Sequence, residues 1–187
     1  MSSQSWQQAL ISAQIAGTTL SDSTVATSII PPASKYTIPA NYFSIGTVLR
    51  IYLAGQLSNV VTTPGTLTID VRFGSTIVFN GGAMNMGTTA HTTNPIWGEI
   101  LLTCRSVGSG AAATFMGQGW FNSVPLNRTA GGVDNLGSTL LAPATTPAVG
   151  TGFDSTVTNQ VDIFATFSVN TDPTNITIQQ YVLESLN

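Results

Sequence analysis

Hydrophobic and polar residues alternate over long stretches of this chain. In residues 48–57, Leu49, Ile51 and Leu53 fall on one side and Arg50 and Tyr52 on the other. After the turn signal Thr63-Pro64-Gly65 the alternation is cleaner. Leu67, Ile69, Val71 and Phe73 oppose Thr66, Thr68, Asp70 and Arg72. A period of two places such sets on the two faces of a strand, one toward a core and one toward solvent. Gly74-Ser75 then permits a tight turn into 76–79, which predicts a hairpin. Further strands are predicted over 96–105, 111–121, 161–169 and 175–183, with earlier ones over 25–30 and 37–43. Pro31-Pro32 ends the first of these and Pro39 interrupts the second.

The first 17 residues read differently. Residues 5–17 lack Pro and Thr, and Trp6, Leu10 and Ala13 recur at roughly helical spacing before Gly17. An arm or short helix is expected over 1–17, followed by one β-sandwich domain over 18–187. About eight to nine short strands, punctuated by turns and uninterrupted by helices, predict an all-β, antiparallel, jelly-roll-like sandwich. An immunoglobulin-like sandwich fits this strand count and the long loops less well, and no fixed-period repeat supports a propeller or β-helix. The stretch 129–158, rich in Gly, Pro, Ala and Thr, offers only a weak strand at 136–141. A connection of that length is expected to bind something or to wrap a neighbour.

Parity leaves several large side chains without an obvious home. With Val161, Ile163, Ala165 and Phe167 inward, Phe164 points out beside Asp162 and Thr166. With Ile176, Ile178 and Val182 inward, Tyr181 and Leu183 fall on the opposite face, and Trp97 and Trp120 also miss the best core parity. Two readings stay open: coverage by the chain's own loops or N-terminal segment, or an interface, where aromatic residues are enriched.

Composition narrows the function. Of the 187 residues only 7% are charged and 42% are hydrophobic, with eight Phe, four Tyr and three Trp. That apolar content opposes disorder, and no apolar run approaches the roughly 20 residues that span a bilayer as a helix. A net charge of -3 gives weak self-repulsion, which suits a surface buried against neighbours. Lys35, Arg50, Arg72, Arg105 and Arg128 are scattered singly, so no nucleic-acid contact is expected. No basic n-region and long apolar h-region begin the chain, and synthesis in a cytoplasm is expected.

Chemistry is sparse. His91 is the single histidine, in a polar loop, and Cys104 is the single cysteine, mid-strand on the apolar side. The carboxylates Asp22, Asp70, Glu99, Asp134, Asp154, Asp162, Asp172 and Glu184 are dispersed, with no calcium-loop spacing. Asp70 and Glu99 are expected to pair with Arg72 and Arg105 or to face water. No Gly-x-Ser-x-Gly motif occurs, and the glycines at 108, 110, 117 and 119 read as turns and close approaches. The sequons at Asn127 and Asn175 read as coincidences in a Thr-rich chain. No catalytic residue, metal site or cofactor is expected, and the chain reads as a non-enzyme.

The stretch Tyr36-Thr-Ile-Pro-Ala-Asn-Tyr-Phe-Ser-Ile-Gly-Thr-Val-Leu-Arg-Ile-Tyr-Leu-Ala-Gly55, followed by Gly65-Thr-Leu-Thr-Ile-Asp-Val-Arg-Phe-Gly74, resembles a pattern in structural proteins of tailed bacteriophages. The likeness extends to Pro95-Ile-Trp-Gly-Glu-Ile and to the last two strands. It is similar to jelly-roll capsid decoration (cement) proteins and to head- or tail-fibre domains. The resemblance implies a homotrimeric virion protein on the capsid surface, partnered by the major capsid protein. Trimer contacts are then expected at Phe164, Tyr181 and Leu183, and capsid docking at Trp6, Leu10, Ile11 and the 129–158 loop. The alternative is a fibre or baseplate module that binds a receptor or glycan, with Trp97, Trp120, Asn94 and Asn122 as the candidate site.

Overall fold

A computed structural model describes residues 7–60, 62–132 and 137–186. The strands are β1 (Gln7–Ser12), β2 (Leu20–Ser21), β3 (Thr27–Ser28), β4 (Thr37–Ile38), β5 (Val48–Asn59), β6 (Thr66–Phe73) and β7 (Thr76–Asn80). They continue with β8 (Met84–Asn85), β9 (His91–Ser106), β10 (Thr114–Ser123), β11 (Ser138–Ala142), β12 (Asn159–Phe167) and β13 (Asn175–Leu186). Nine of these have five or more residues, in line with the expected number. A single 3-10 turn, Pro32–Ser34, is the helical element among the described residues.

Two antiparallel sheets pack as a sandwich. The larger runs β1-β13-β5-β9-β10-β11, with β2 also paired to β13. The smaller runs β3-β12-β6-β7, with β4 on β12 and β8 on β6. Chain ends nest around chain middles: β5 pairs with β13 in one sheet while β6 pairs with β12 in the other. That wrapping is jelly-roll-like, and β9, β10 and β11 add a simple meander to it.

The alternating pattern finds its core. Leu49, Ile51, Leu53, Ile100 and Leu102 meet Leu67, Ile69, Val71, Val161, Ile163 and Phe167 across the sandwich, all buried. At one end four phenylalanines close the core. Phe153 stacks on Phe115 at 5.1 Å between ring centroids and meets Phe73 edge-on at 4.9 Å. Phe43 completes the group, at 5.1 Å from Phe115. Offset and edge-on pairs of this kind contribute about 0.5–1.5 kcal/mol each beyond their burial.

The N-terminal expectation needs correction. Residues 7–12 are neither helix nor free arm but the edge strand β1, paired with β13 from Gln7↔Leu186 to Ser12↔Val182. The backbone N–H and C=O groups along the edge of β13 are stronger partners than a marginal helix turn, and β1 satisfies them. Leu10 and Ile11 lie half-buried against the core. Trp6 lies outside the described residues.

Tyr181 and Leu183 also reverse their expected placement. The pairing of β13 with β5 slips between Ile178 and Gln180, so Gln179 is an extra residue in a β-bulge. One inserted residue inverts the parity of everything after it. Tyr181 and Leu183 therefore enter the core, while Val182 turns outward and is half-buried. As core residues they are not available as trimer contacts. Burial pushes the Tyr181 hydroxyl pKa up, with the nearby Asp162 charge adding to the effect, and the hydroxyl has no hydrogen-bond partner.

Phe164 does point outward, on the smaller sheet, but it is already covered. The Arg72 guanidinium lies over its ring at 4.0 Å, held there by a fork-like pair of bonds to Asp70 at 2.9 Å each. The Asp70–Arg72 pairing matches the expectation. His91, expected in a loop, is the first residue of β9.

The described part of the 129–158 stretch that follows residue 136 is tied down. It contains β11 and the core residue Phe153. The carboxylate of Asp154 accepts the Thr156 hydroxyl at 2.6 Å and the N–H groups of Thr156 and Gly110 at 2.8 Å. These bonds, led by the Thr156 hydroxyl, hold the Asp154 carboxyl below its ordinary pKa.

Three outcomes follow from these contacts. Tyr181→Phe removes a buried, unpartnered hydroxyl while keeping the ring, so chemical denaturation should show equal or greater stability. A loss above about 1 kcal/mol would mean that the hydroxyl is bonded in solution. Phe153→Ala should cost about 3–5 kcal/mol by the same measurement, as expected for an aromatic cavity in a core. The Asp154 contribution is fully present above the ordinary aspartate value near ~3.9 and is lost as pH falls through the lower folded value. Thermal scans should therefore show Asp154→Asn less stable than the parent at neutral pH, with the difference shrinking in acid.

Candidate functional site

The outer face of the larger sheet carries four exposed large apolar side chains, Trp97, Leu101, Trp120 and Leu141. Directly paired residues in a sheet share a face, so the register sets which of them are neighbours. Trp97 on β9 sits opposite Asn122 on β10 and Ala54 on β5. Glu99 sits between Tyr52 and Trp120, and Trp120 sits between Glu99 and Leu141. Trp97 and Trp120 are thus diagonal neighbours, about 7–8 Å apart in such a pair. Both are open to solvent, Trp97 at 56% and Trp120 at 38% exposure.

Local packing explains why this face is presented in this way. The side of β9 facing the core carries Gly98, and a Cβ there would lie 2.1 Å from the Phe121 ring. The Phe121 ring fills the space that a side chain on β9 would otherwise take. Its strand neighbours Trp120 and Asn122 are turned outward by the strand period. The Asn122 amide donates to the Thr139 hydroxyl at 2.8 Å, which fixes its orientation on the face.

Two shallow hollows flank the indoles. One, of about 310 Å³, lies beside Trp97 and is lined by Gln56, Pro95 and Gln180. The other, of about 210 Å³, lies beside Trp120 and is lined by Glu99, Leu101 and Gln118. An exposed indole offers a flat apolar surface with a negative π face, suited to the C–H face of a sugar ring. The amides of Asn122, Gln118 and Gln180 and the carboxylate of Glu99 offer both donors and acceptors for hydroxyl groups. Glu99 has no ion-pair partner among the described residues. The expected partner of Glu99, Arg105, stays exposed and unpaired among them.

Of the four residues expected for a glycan site, three come together: Trp97, Trp120 and Asn122. Asn94 does not join them. It pairs with the buried Leu57 and so falls on the opposite face of the sheet. The sequence reading missed Leu101 and Leu141, exposed at 39% and 73%. For Leu101 a signal was present, since it shares odd parity with Trp97 and Glu99.

The single thiol stands apart from this face. Cys104 is a core residue, and burial raises its thiol pKa against a weaker opposing bond to the Ser106 carbonyl. Among the described residues no three His, Cys, Asp or Glu side chains cluster as metal ligands. No described helix is long and apolar enough to cross a membrane.

No family model matches the chain, and no curated protein does. Among solved structures it is similar to the CBM2 module of the evolved Dit of Lactobacillus casei BL23 phage J-1. That match has 13% identity and a TM-score of 0.34, covering 82% of this chain and 68% of the other. It is also similar to arcelin-5, a lectin-like defense protein from Phaseolus vulgaris, with 7% identity, a TM-score of 0.35 and 97% of both chains covered. A protein of unknown function from Shewanella oneidensis MR-1 matches at 13% identity and a TM-score of 0.35, over 95% of this chain and 77% of that one. Scores this low carry no functional argument, and the fold assignment rests on the two sheets themselves.

Because the Trp97 ring is mostly in solvent, Trp97→Ala should change unfolding free energy by no more than about 0.5 kcal/mol. Acrylamide should quench the fluorescence of the parent protein more strongly than that of the variant. A large stability loss would show that the indole is a packing element rather than a presented surface.

Proposed function

We propose that this chain is a non-enzymatic virion module that binds carbohydrate on the outer face of its larger sheet. The observation that carries the reading is the pair of exposed indoles, Trp97 and Trp120, diagonal on one rigid face with Asn122 and Glu99 between and beside them. Sites built on strands hold their geometry better than sites on loops, and here every contributing residue is on a strand. The phage setting is supported by the motif stretches at 36–55 and 65–74. Within a virion such a module would hold the particle to a glycan-bearing host surface.

The test is a glycan array followed by titration of any binder with Trp97→Ala and Trp120→Ala. Each variant should weaken binding about tenfold, in keeping with the ~0.5–1.5 kcal/mol attributed to an aromatic contact beyond its burial. An array without a single retained saccharide would overturn the reading.

Capsid decoration is the second reading, as a homotrimer bound to the major capsid protein. It is favoured by the breadth of the same face, where Leu101 and Leu141 extend the apolar surface past the indoles. With Tyr181 and Leu183 in the core, its contacts would come from this face instead. Light scattering that returns a monomer, together with no binding to undecorated heads at micromolar concentration, would remove it.

A further inference from the structure

Beside the Trp face, at the free edge of β11, lies a cleft of about 650 Å³. Thr139 and Leu141 of β11 form one wall, Met84 and Asn85 of β8 contribute another part, and Arg128 reaches in from the turn after β10. The cleft is continuous with the indole face through two residues. Thr139 is bonded to Asn122, and Leu141 is the cross-strand partner of Trp120. In row order Trp97, Asn122 and Thr139 lie on consecutive strands, each about 4.8 Å from the next. A chain molecule of two or three units stacked on the indoles would therefore reach the cleft.

The cleft has a distinctive charge. Among the described residues its walls hold no Asp, Glu, Lys or His, and Arg128 is the one charged side chain of these that lines it. Three of the five cations are neutralised: Lys35 by Asp162, Arg50 by Glu184 and Arg72 by Asp70. Arg128 is exposed and has no ion pair among the described residues. The turn that carries it is pinned on both sides. The Asn127 N–H donates to the Asn85 carbonyl at 2.9 Å, and the Asn127 side-chain oxygen accepts the Thr129 N–H at 2.9 Å. A guanidinium carried on a pinned turn, in a cleft without competing carboxylates among the described residues, is suited to an anionic oxygen pair.

We infer that the saccharide bound by this module is acidic, with its neutral rings on Trp97 and Trp120 and its anionic group received by Arg128 in the cleft beside β11. The inference rests on the carbohydrate reading above and specifies its ligand class. The anionic group is a carboxylate of a sugar acid or a phosphate ester on a glycan, since a guanidinium serves both.

The experiment compares three oligosaccharides of matched length by calorimetry: a neutral one, its uronic-acid counterpart and a phosphate-substituted one. The parent protein should bind at least one acidic form about tenfold more tightly than the neutral form at low salt, as a charge-assisted bond allows. Which form gains identifies the anionic group. Arg128→Gln should abolish that preference, read as the ratio of acidic to neutral affinity, while Arg128→Lys should keep part of it. Equal affinity for all three, or a preference that survives Arg128→Gln, would overturn the inference and leave the indole site standing. Absence of binding to any of the three and to the wider array would overturn the carbohydrate reading and this inference together.

Discussion

The pairing of β5 with β13, with its one-residue bulge at Gln179, is the constraint on which the rest of this molecule depends. It joins the end of the chain to its middle and provides the edge on which β1 and β2 form. It also assigns the faces of β13. Beyond the bulge, Tyr181 and Leu183 enter the core, and Glu184 comes to lie opposite Arg50 outside, with Arg50 Nε donating to the Glu184 carboxylate at 2.7 Å. An unbulged strand would put a tyrosine and a leucine in solvent and a glutamate among leucines. The misplacement of the carboxylate alone would be severe, since an unpaired buried charge is among the costliest features a fold can carry. The bulge is thus the local irregularity that lets a long terminal strand remain regular in its burial.

The scarcity of charge takes on meaning once the ion pairs are seen. The ion pairs among the described residues serve to cover something. Arg72 is held by Asp70 over Phe164, and Arg50 is held by Glu184 near Tyr52, at 4.9 Å from its ring. Lys35 reaches the nearly buried Asp162 at 2.6 Å, where Ser28 also donates at 2.7 Å. Paired in this way the charges neither repel nor steer. Among the described residues, what is left to interact with other molecules includes a face with two indoles and the Glu99 carboxylate, with the unpaired guanidinium of Arg128 at its margin and that of Arg105 toward the far end of β9. A surface of that kind discriminates by shape and hydrogen bonding, with few charges to steer an encounter.

The long segment between β10 and β12 shows how a Gly/Pro-rich connection contributes to a scaffold. Phe153 anchors it in the aromatic cluster, and Asp154 and Ser155 clip it to the turn at 108–110, with the Gly108 N–H bonded to Ser155 at 2.8 Å. Between its anchors the segment supplies β11, which widens the sheet beyond Trp120 and forms one wall of the cleft. Without that strand, Trp120 would stand at a sheet edge and the cleft would not exist. The segment therefore builds the candidate site from inside the domain, where its composition and length alone pointed to a connection that binds something or wraps a neighbour.

The alternation of Leu67, Ile69, Val71 and Phe73 with polar neighbours was enough to place β6, because a period of two has one physical meaning when one face is buried. The same holds for β5, β9, β12 and the first part of β13, and for Trp97 and Trp120 as residues left outside. The sandwich class and the candidate indoles were legible for that reason. Burial past residue 178 was not, because parity is a local code and a bulge leaves no mark in it. The inverted burial of Tyr181 and Leu183 is set by how β13 must register against β5, a contact between positions more than a hundred residues apart. Residues 7–12 became a strand for the same kind of reason, since an open sheet edge is a partner that no local propensity records. The sequence by itself determined the faces of the strands and which aromatic residues the core would leave out. The tertiary structure decided which faces met, that Asn122 and not Asn94 lies beside Trp97, and that Arg128 stands at the end of that row, because neighbours across a sheet are chosen by register and not by spacing along the chain.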